Sequence, residues 1–387
     1  MRIAIVSVHD VRVAELSKAL VRQGHDVTVY TRRTERGQAE ESPTEHGYRV
    51  VHVPAGPARH VPEEDLLRHM GPFARFLLTR WEAERPDVVH AHSWLSGLAS
   101  VSAACATGVP VVQTFHALDV VRQRFGDTSP PERLGTETML GREADRIAAT
   151  CTDEVFELAR MGVPRTKIEV VPCGVDLDRF VPEGEAQPKD GHRLVSVGSL
   201  VPHKGFATAI TALRGLPDTE LVIAGGPDKR RLGRDEHARF LRLLAEKVGV
   251  ADRVRLLGQV SRAEMPALLR SADAVVCTPW YEPSGLVPLE AMACGVPVVA
   301  SAVGALSDTV VDGVTGKLVP PRKPRALAGM LQFLLSRPTL AEQFGAAGRD
   351  RAGARYSWDR VAAETVRVYE HAGATSGAPG GLVAGRR

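Results

Sequence analysis

The chain is poor in aromatic residues, 5% of 387, and has only five cysteines. Cys105, Cys151, Cys173, Cys277 and Cys294 are scattered, with no Cys-x-x-Cys pair. That argues against a disulfide scaffold and reads as buried or semi-buried thiols in a reducing compartment. No apolar run approaches the ~20 residues of a membrane-spanning helix. The opening M-R-I-A-I-V-S is a strand pattern, too short for a secretory h-region. A cytoplasmic protein is therefore expected. Neither charge sign dominates: the net charge is +3, so composition gives no reason to expect a nucleic-acid partner. His90 and His92 in D-V-V-H-A-H have no third ligand at a useful spacing, so they read as structural or acceptor-side residues and no metal is expected.

What is present is size, ordinary globular composition and a repeating pattern. At 387 residues, 44% hydrophobic and 25% charged, the chain can build two domains, each with its own core. Apolar strand runs alternate with helix-period segments: Ile3–Ser7, Val11–Gln23, Asp26–Tyr30, then Tyr48–Val53 after a polar loop over Arg32–Gly47. A helix is expected over Asp65–Glu84, broken at Gly71-Pro72. This α/β alternation implies doubly wound parallel sheets. The Pro-, Gly- and acid-rich stretch before Leu194 reads as a linker. The expected domains are 1–172 with a returning helix 358–371, a linker 173–191, a second domain 192–355, and a disordered tail 372–387. G-V-P-V-V at Gly108–Val112 recurs at Gly295–Val299, each time after a helix that follows an Asp-initiated apolar strand. Two Rossmann-like halves are thus expected, with a ligand-binding cleft at the carboxyl ends of their strands.

The most informative stretch is Trp280–Ser301, W-Y-E-P-S-G-L-V-P-L-E-A-M-A-C-G-V-P-V-V-A-S. Pro288 fits the first helical position, which puts Glu290 in the first turn and Glu282 in the preceding loop. The N–H groups around Gly285, Leu286 and Val287 then lack intrahelical partners and can seat a phosphate. Glu290 can accept from two vicinal ribose hydroxyls, and Glu282 from hydroxyls of a group attached to the phosphate. A nucleotide-sugar carries those parts in that order.

These residues resemble the family-4 nucleotide-sugar glycosyltransferases of the GT-B fold. The Glu-x7-Glu signature is Glu282 to Glu290, and the phosphate-binding stretch is Gly198-Ser-Leu-Val-Pro-His-Lys204-Gly205. Val171–Asp176, Val310–Gly316, Thr114–His116 and Tyr356–Trp358 match further family segments. The resemblance implies two facing Rossmann-like domains with an interdomain cleft and a metal-independent hexosyltransferase that retains anomeric configuration. It further implies no cofactor beyond the nucleotide-diphosphate sugar as donor substrate. By the same resemblance Gly198 and Lys204 meet the donor diphosphate, with Lys204 neutralising the leaving group. Glu290 holds the ribose, and Glu282 with the backbone of Gly285, Leu286 and Val287 binds the sugar and phosphate. His116 faces the transferred sugar. The proposed catalytic set is His116, Lys204 and Glu282.

Three departures from the family pattern stand out. No Gly-Gly loop separates Ile3–Ser7 from the first helix, Ser199 replaces the usual arginine after Gly198, and Ser284 stands where the family usually has an aromatic residue. They motivate an alternative, a weak or silent homologue that binds a nucleotide-sugar or a partner. An epimerase or phosphorylase of the same fold fits the Glu-x7-Glu context less well. The acceptor is left open among glycan, lipid-linked and small-metabolite classes. Basic residues beside apolar ones in Asp65–Glu84 suggest a weak peripheral contact at the inner membrane face.

Overall fold

The computed structural model of the protein describes residues 1–8 and 13–376. The chain forms two compact α/β units, one of Met1–Val171 joined by the chain from Trp358 on, the other of Pro172–Ser357.

The first unit holds eight strands: β1 (Arg2–Val6), β2 (Asp26–Arg32), β3 (Glu41–Pro43), β4 (Arg49–Val53), β5 (Val88–His92), β6 (Val111–Thr114), β7 (Arg146–Ala149) and β8 (Ile168–Val170). Their order is β3-β4-β2-β1-β5-β6-β7-β8, and every pair is parallel except β3 with β4. β5 and β6 are buried along their whole length, as parallel strands covered by helices on both faces must be. The order reverses between β1 and β5, so a ligand crevice belongs at the carboxyl ends of these strands.

Two local expectations are corrected. The polar stretch 32–47 is not all loop, because Glu41-Ser-Pro43 pairs antiparallel with Val51, Val50 and Arg49. Three residues, two of them polar, carry no alternation to reveal this, and Pro43 is tolerated because the strand lies at the sheet edge. The helix over Asp65–Glu84 does not break at Gly71-Pro72. It runs as Glu63–Leu66, a 3-10 turn Leu67–His69, and Met70–Ala83. Pro72 falls in the first turn of the last piece, where a missing N–H costs nothing. Met70, Phe73, Leu77 and Trp81 are buried there, with Trp81 edge-on to Tyr30. Burying each such side chain is worth about 1.5–3 kcal/mol. The apolar residues of this segment are therefore largely core, and Arg68 and Arg80 pair with Asp65 and Glu41.

The last helix, Trp358–Ser376, packs on the first unit. Val368, Tyr369 and Ala372 join Ile3, Ile5, Leu20 and Val112 in one cluster, and Arg22 pairs with Asp359 at 2.6 Å. The region expected to be disordered from residue 372 is thus helical through Ser376. Residues 377–387 lie outside the described residues. So does the segment 9–12, on which the missing Gly-Gly loop falls.

The second unit has strands β9 (His192–Val197), β10 (Thr219–Ala224), β11 (Val254–Gly258), β12 (Ala274–Cys277), β13 (Val298–Ser301) and β14 (Gly316–Val319). All are parallel, in the order β11-β10-β9-β12-β13-β14. Here the reversal lies between β9 and β12. The repeated G-V-P-V-V leads into β6 in one sheet and β13 in the other, each two strands past its reversal. The stretch 173–191, read as a linker, is instead packed into this unit. Val175 bridges to Ser357, Phe180 is buried, and Arg270 donates to the carbonyls of Val181 and Glu185.

Candidate active site

In the second unit the strands flanking the reversal each lead into a loop, and side chains hold the two loops together. After β9 the chain runs through Gly198 and Ser199 to a 3-10 turn at Pro202–Lys204. After β12 it runs through Thr278–Gly285 into the helix Leu286–Ala293. The Trp280 N–H donates to His203 O at 2.7 Å, the Thr278 hydroxyl donates to Gly205 O at 3.0 Å, and the His203 and Tyr281 rings pack 5.2 Å apart. Gly205 has φ 70°, and a Cβ there would lie 1.9 Å from Thr278 O, so only glycine permits this approach.

The result is a contact 78 residues apart in sequence: Lys204 Nζ donates to Glu282 Oε2 at 2.6 Å. The other oxygen, Glu282 Oε1, accepts from the Ser284 hydroxyl at 2.9 Å and its N–H at 3.3 Å. Burial opposes ionisation of Glu282, but Lys204 and Ser284 outweigh it and hold the carboxyl below the usual glutamate range. The Glu282 carbonyl accepts from the Ala305 N–H at 2.8 Å, fixing the loop from its other side.

Gly285 caps the helix with φ 63°. The helix begins at Leu286, so Pro288 is its third residue rather than its first, and Glu290 lies in the second turn rather than the first. Leu286 and Val287 still have no carbonyl partner within the helix. Glu290 as a residue is 8% exposed, and its carboxyl makes no hydrogen bond or ion pair among the described residues. Burial pushes it up to about 7, with Arg262 and Arg179 drawing it down and Asp176 pushing it further up. A nearly buried carboxyl without a protein donor can, once ionised, accept from hydroxyls brought by a ligand.

In the first unit, three histidines gather at the carboxyl ends of β5 and β6. His90 is buried, with its ring nitrogens 2.8 Å from Tyr369 Oη and 2.9 Å from Thr114 Oγ1, which accounts for it as a structural residue. Burial, with His116 adding to it, lowers its pKa to about 3. His92 Nδ1 and His116 Nε2 share a hydrogen bond of 3.0 Å. His116 has φ 66° and Ser93, next to His92, has φ 76°. Side chains of these types rarely hold that conformation, and when they do the site is often functional.

Residues 10–179 match the family described as "Glycosyltransferase Family 4" and residues 179–351 that described as "Glycosyl transferases group 1". The D-inositol 3-phosphate glycosyltransferase of Xylanimonas cellulosilytica is 36% identical, over 96% of this chain and 97% of its own. That of Mycolicibacterium smegmatis is 33% identical, over 96% of this chain and 91% of its own. The chain belongs to the family-4 glycosyltransferases. Among solved structures, sucrose-phosphate synthase from Thermosynechococcus elongatus is similar with TM-score 0.85 and 29% identity, over 97% of this chain and all of that one. Anabaena HepE, solved with UDP and glucose, shares the fold with TM-score 0.74 and 18% identity, over 96% of this chain and 99% of that one.

This family-4 glycosyltransferase therefore brings Lys204, Glu282 and Gly285 together in one loop pair, with Glu290 one helical turn on. Gly198 lies at the base of the same loop, its carbonyl so close to Gly225 that a Cβ there would approach to 2.0 Å. Ser199 is exposed. The motif reading missed Arg262 and Arg179, which act on Glu290, and Arg322, whose guanidinium lies 4.8 Å over the Trp280 ring. None of the three belongs to a motif, and only folding brings them near. In the first unit it missed Arg133 and Glu137, whose i, i+4 spacing looks like an ordinary helix-surface pair but is buried. Among the described residues no group of three or more His, Cys, Asp or Glu is placed to hold a metal ion, and no helix is long and apolar enough to cross a membrane.

Proposed function

We propose that this enzyme transfers a hexose from a nucleotide-diphosphate sugar to a hydroxyl of an inositol-phosphate-like acceptor, with retention at the anomeric carbon. The observation that carries the donor half is the Lys204–Glu282 contact beside the start of the helix that bears the buried, unpaired Glu290. A diphosphate seated on the N–H groups of Gly285, Leu286 and Val287 meets the Lys204 ammonium. Glu290 takes the ribose hydroxyls and Glu282 those of the sugar. The acceptor class rests on the relatives, which are named D-inositol 3-phosphate glycosyltransferases and align along nearly their whole length.

In the reaction the bond from the anomeric carbon to the diphosphate oxygen breaks. A bond to the acceptor oxygen forms on the same face, and the acceptor proton passes to the departing diphosphate. Lys204 supports the charge that develops on the leaving group. His116 acts on the transferred sugar. A panel of UDP-, GDP- and ADP-sugars, with and without inositol 3-phosphate, tests the reading through nucleotide release. Acceptor-dependent release from one donor supports it; no release from any donor overturns it. The alternative of a binder without turnover keeps one observation, the exposed Ser199, and predicts nucleotide-sugar binding with no release.

A further inference from the structure

The turns bearing His92 and His116 both lead away from the sheet reversal in a left-handed conformation, and something must hold them there. Side chains from three distant segments do so. Arg133, 4% exposed, spends its guanidinium on three partners: Glu137 Oε1 at 2.7 Å, Glu63 Oε1 at 3.2 Å and the Ala117 carbonyl at 2.7 Å. Glu137, fully buried, uses its other oxygen to accept the Asp119 N–H at 2.7 Å. Two of the three residues that follow His116 are thus pinned by one ion pair. Glu63 Oε1 also accepts the indole N–H of Trp94 at 2.9 Å. Trp94 is buried and directly follows Ser93. The same triad therefore reaches the other turn. Gln113 ties the two turns a second time, donating to Ser93 O at 3.1 Å and Thr114 O at 2.9 Å. Gly97 leaves room for it, since a Cβ there would lie 2.2 Å from Gln113 Oε1.

A buried ion triad is weak as a source of stability, because desolvating its charges cancels much of their attraction. What it supplies is fixed geometry: a planar guanidinium holds three acceptors at set angles, which neither lysine nor an apolar side chain does. We propose that Glu63, Arg133 and Glu137 are positioning residues that hold His116 in its left-handed turn and against His92, and so set the placement of His116 toward the substrate. The last part rests on the reading of His116 given above. By this account the triad acts through His116 and does not touch the substrate.

The test uses the full chain with Arg133→Lys, His116→Ala and the double variant. It reads kcat and donor KM, nucleoside diphosphate affinity by calorimetry, and the imidazole nitrogen shifts of His92 and His116 by NMR. A misplacement of about 1 Å costs on the order of 100-fold. Arg133→Lys should therefore lower kcat by about 10- to 100-fold, leave nucleotide affinity unchanged and move both imidazole signals. In the His116→Ala background it should cause no further loss, since both substitutions remove the same interaction. Unmoved imidazole signals, or an equal loss of kcat with and without His116, would overturn the proposal. If His116→Ala alone keeps full activity, the catalytic reading of His116 fails instead, and the imidazole shifts still decide whether the triad positions it. Should Arg133→Lys fail to fold, Glu137→Gln serves: it keeps the shape but gives up one of two acceptor roles. It must lower kcat and spare nucleotide affinity, and a kcat within twofold of wild type contradicts the proposal.

Discussion

Lys204 Nζ lies 2.6 Å from Glu282 Oε2, joining the loop after β9 to the loop after β12. With the Lys204 side chain 24% and the Glu282 side chain 13% exposed, the pair is partly shielded and still reaches solvent. On the proposed reading, a bound donor shares or replaces this contact. We therefore expect Lys204→Ala to weaken nucleoside diphosphate far more than nucleoside, each charged hydrogen bond being worth about 1.5–3 kcal/mol. Calorimetry with both ligands measures it. Equal losses for the two would show that Lys204 does not meet phosphate.

On the proposed reading of Glu290 as the ribose-binding residue, nucleotide binding should depend on pH. Its carboxyl in the free protein titrates at about 7, above the ordinary 4.5, because burial disfavours the charge. Below pH 7 it is largely protonated and offers one acceptor fewer to the ribose. Nucleotide affinity should fall from pH 8 to pH 6, by at most ~10-fold per pH unit. Glu290→Gln should bind weakly throughout and lose this component of the pH dependence. For stability the sign is opposite. A raised carboxyl pKa favours the folded state fully below pH 4.5, and that advantage disappears as the pH rises through 7. Glu290→Gln should therefore be more stable than wild type at pH 8 when no ligand is bound. A less stable variant would mean that the carboxylate has a partner of its own.

His90 gives the first unit an acid limit. Its pKa is lowered from 6.5 to about 3 by burial. The neutral ring favours the folded state above pH 6.5, and this contribution is lost as the pH falls from 6.5 toward 3. Relative to His90→Leu, the wild type should lose about 1.4 kcal/mol per pH unit in that window. Parallel chemical-denaturation curves at several pH values check it. A difference that does not vary with pH would mean that His90 is protonated in the folded state.

How far the sequence predicts this protein depends on distance along the chain. Buried parallel strands such as Val88–His92 are legible because a run of apolar residues needs no partner to be recognised. The two loops that the structure brings together are legible as motifs, because Gly198, Lys204, Glu282 and Glu290 sit in two short stretches whose residue types suit phosphate and hydroxyls; that they hold a donor is the proposal made above. Glu41–Pro43 was not, since only its pairing with β4 makes it a strand. Nor was the packing of 173–191, because Pro and Gly mark turns whether they are free or held by an Arg270 nearly ninety positions away. The triad of Glu63, Arg133 and Glu137 was hidden for the same reason, as nothing local tells a buried arginine from a solvated one.

On the proposed reading, Gly205 should tie loop conformation to nucleotide binding. Gly205→Ala would drive a Cβ into the Thr278 carbonyl at a positive φ, so the loop after β9 must shift away from the loop after β12. We expect a destabilisation of about 1–3 kcal/mol together with a loss of nucleotide affinity. Thermal melts with and without nucleoside diphosphate separate the two effects. Retained affinity at reduced stability would show that the loop contact is not needed for binding.

The most direct test of the central claim follows the anomeric proton of the product by NMR while one nucleotide-sugar from the panel is consumed in the presence of inositol 3-phosphate. The account predicts that the donor is consumed, that the product carries the donor's anomeric configuration, and that Lys204→Ala and Glu290→Ala both slow the conversion. An inverted product, or a conversion indifferent to both substitutions, would contradict it.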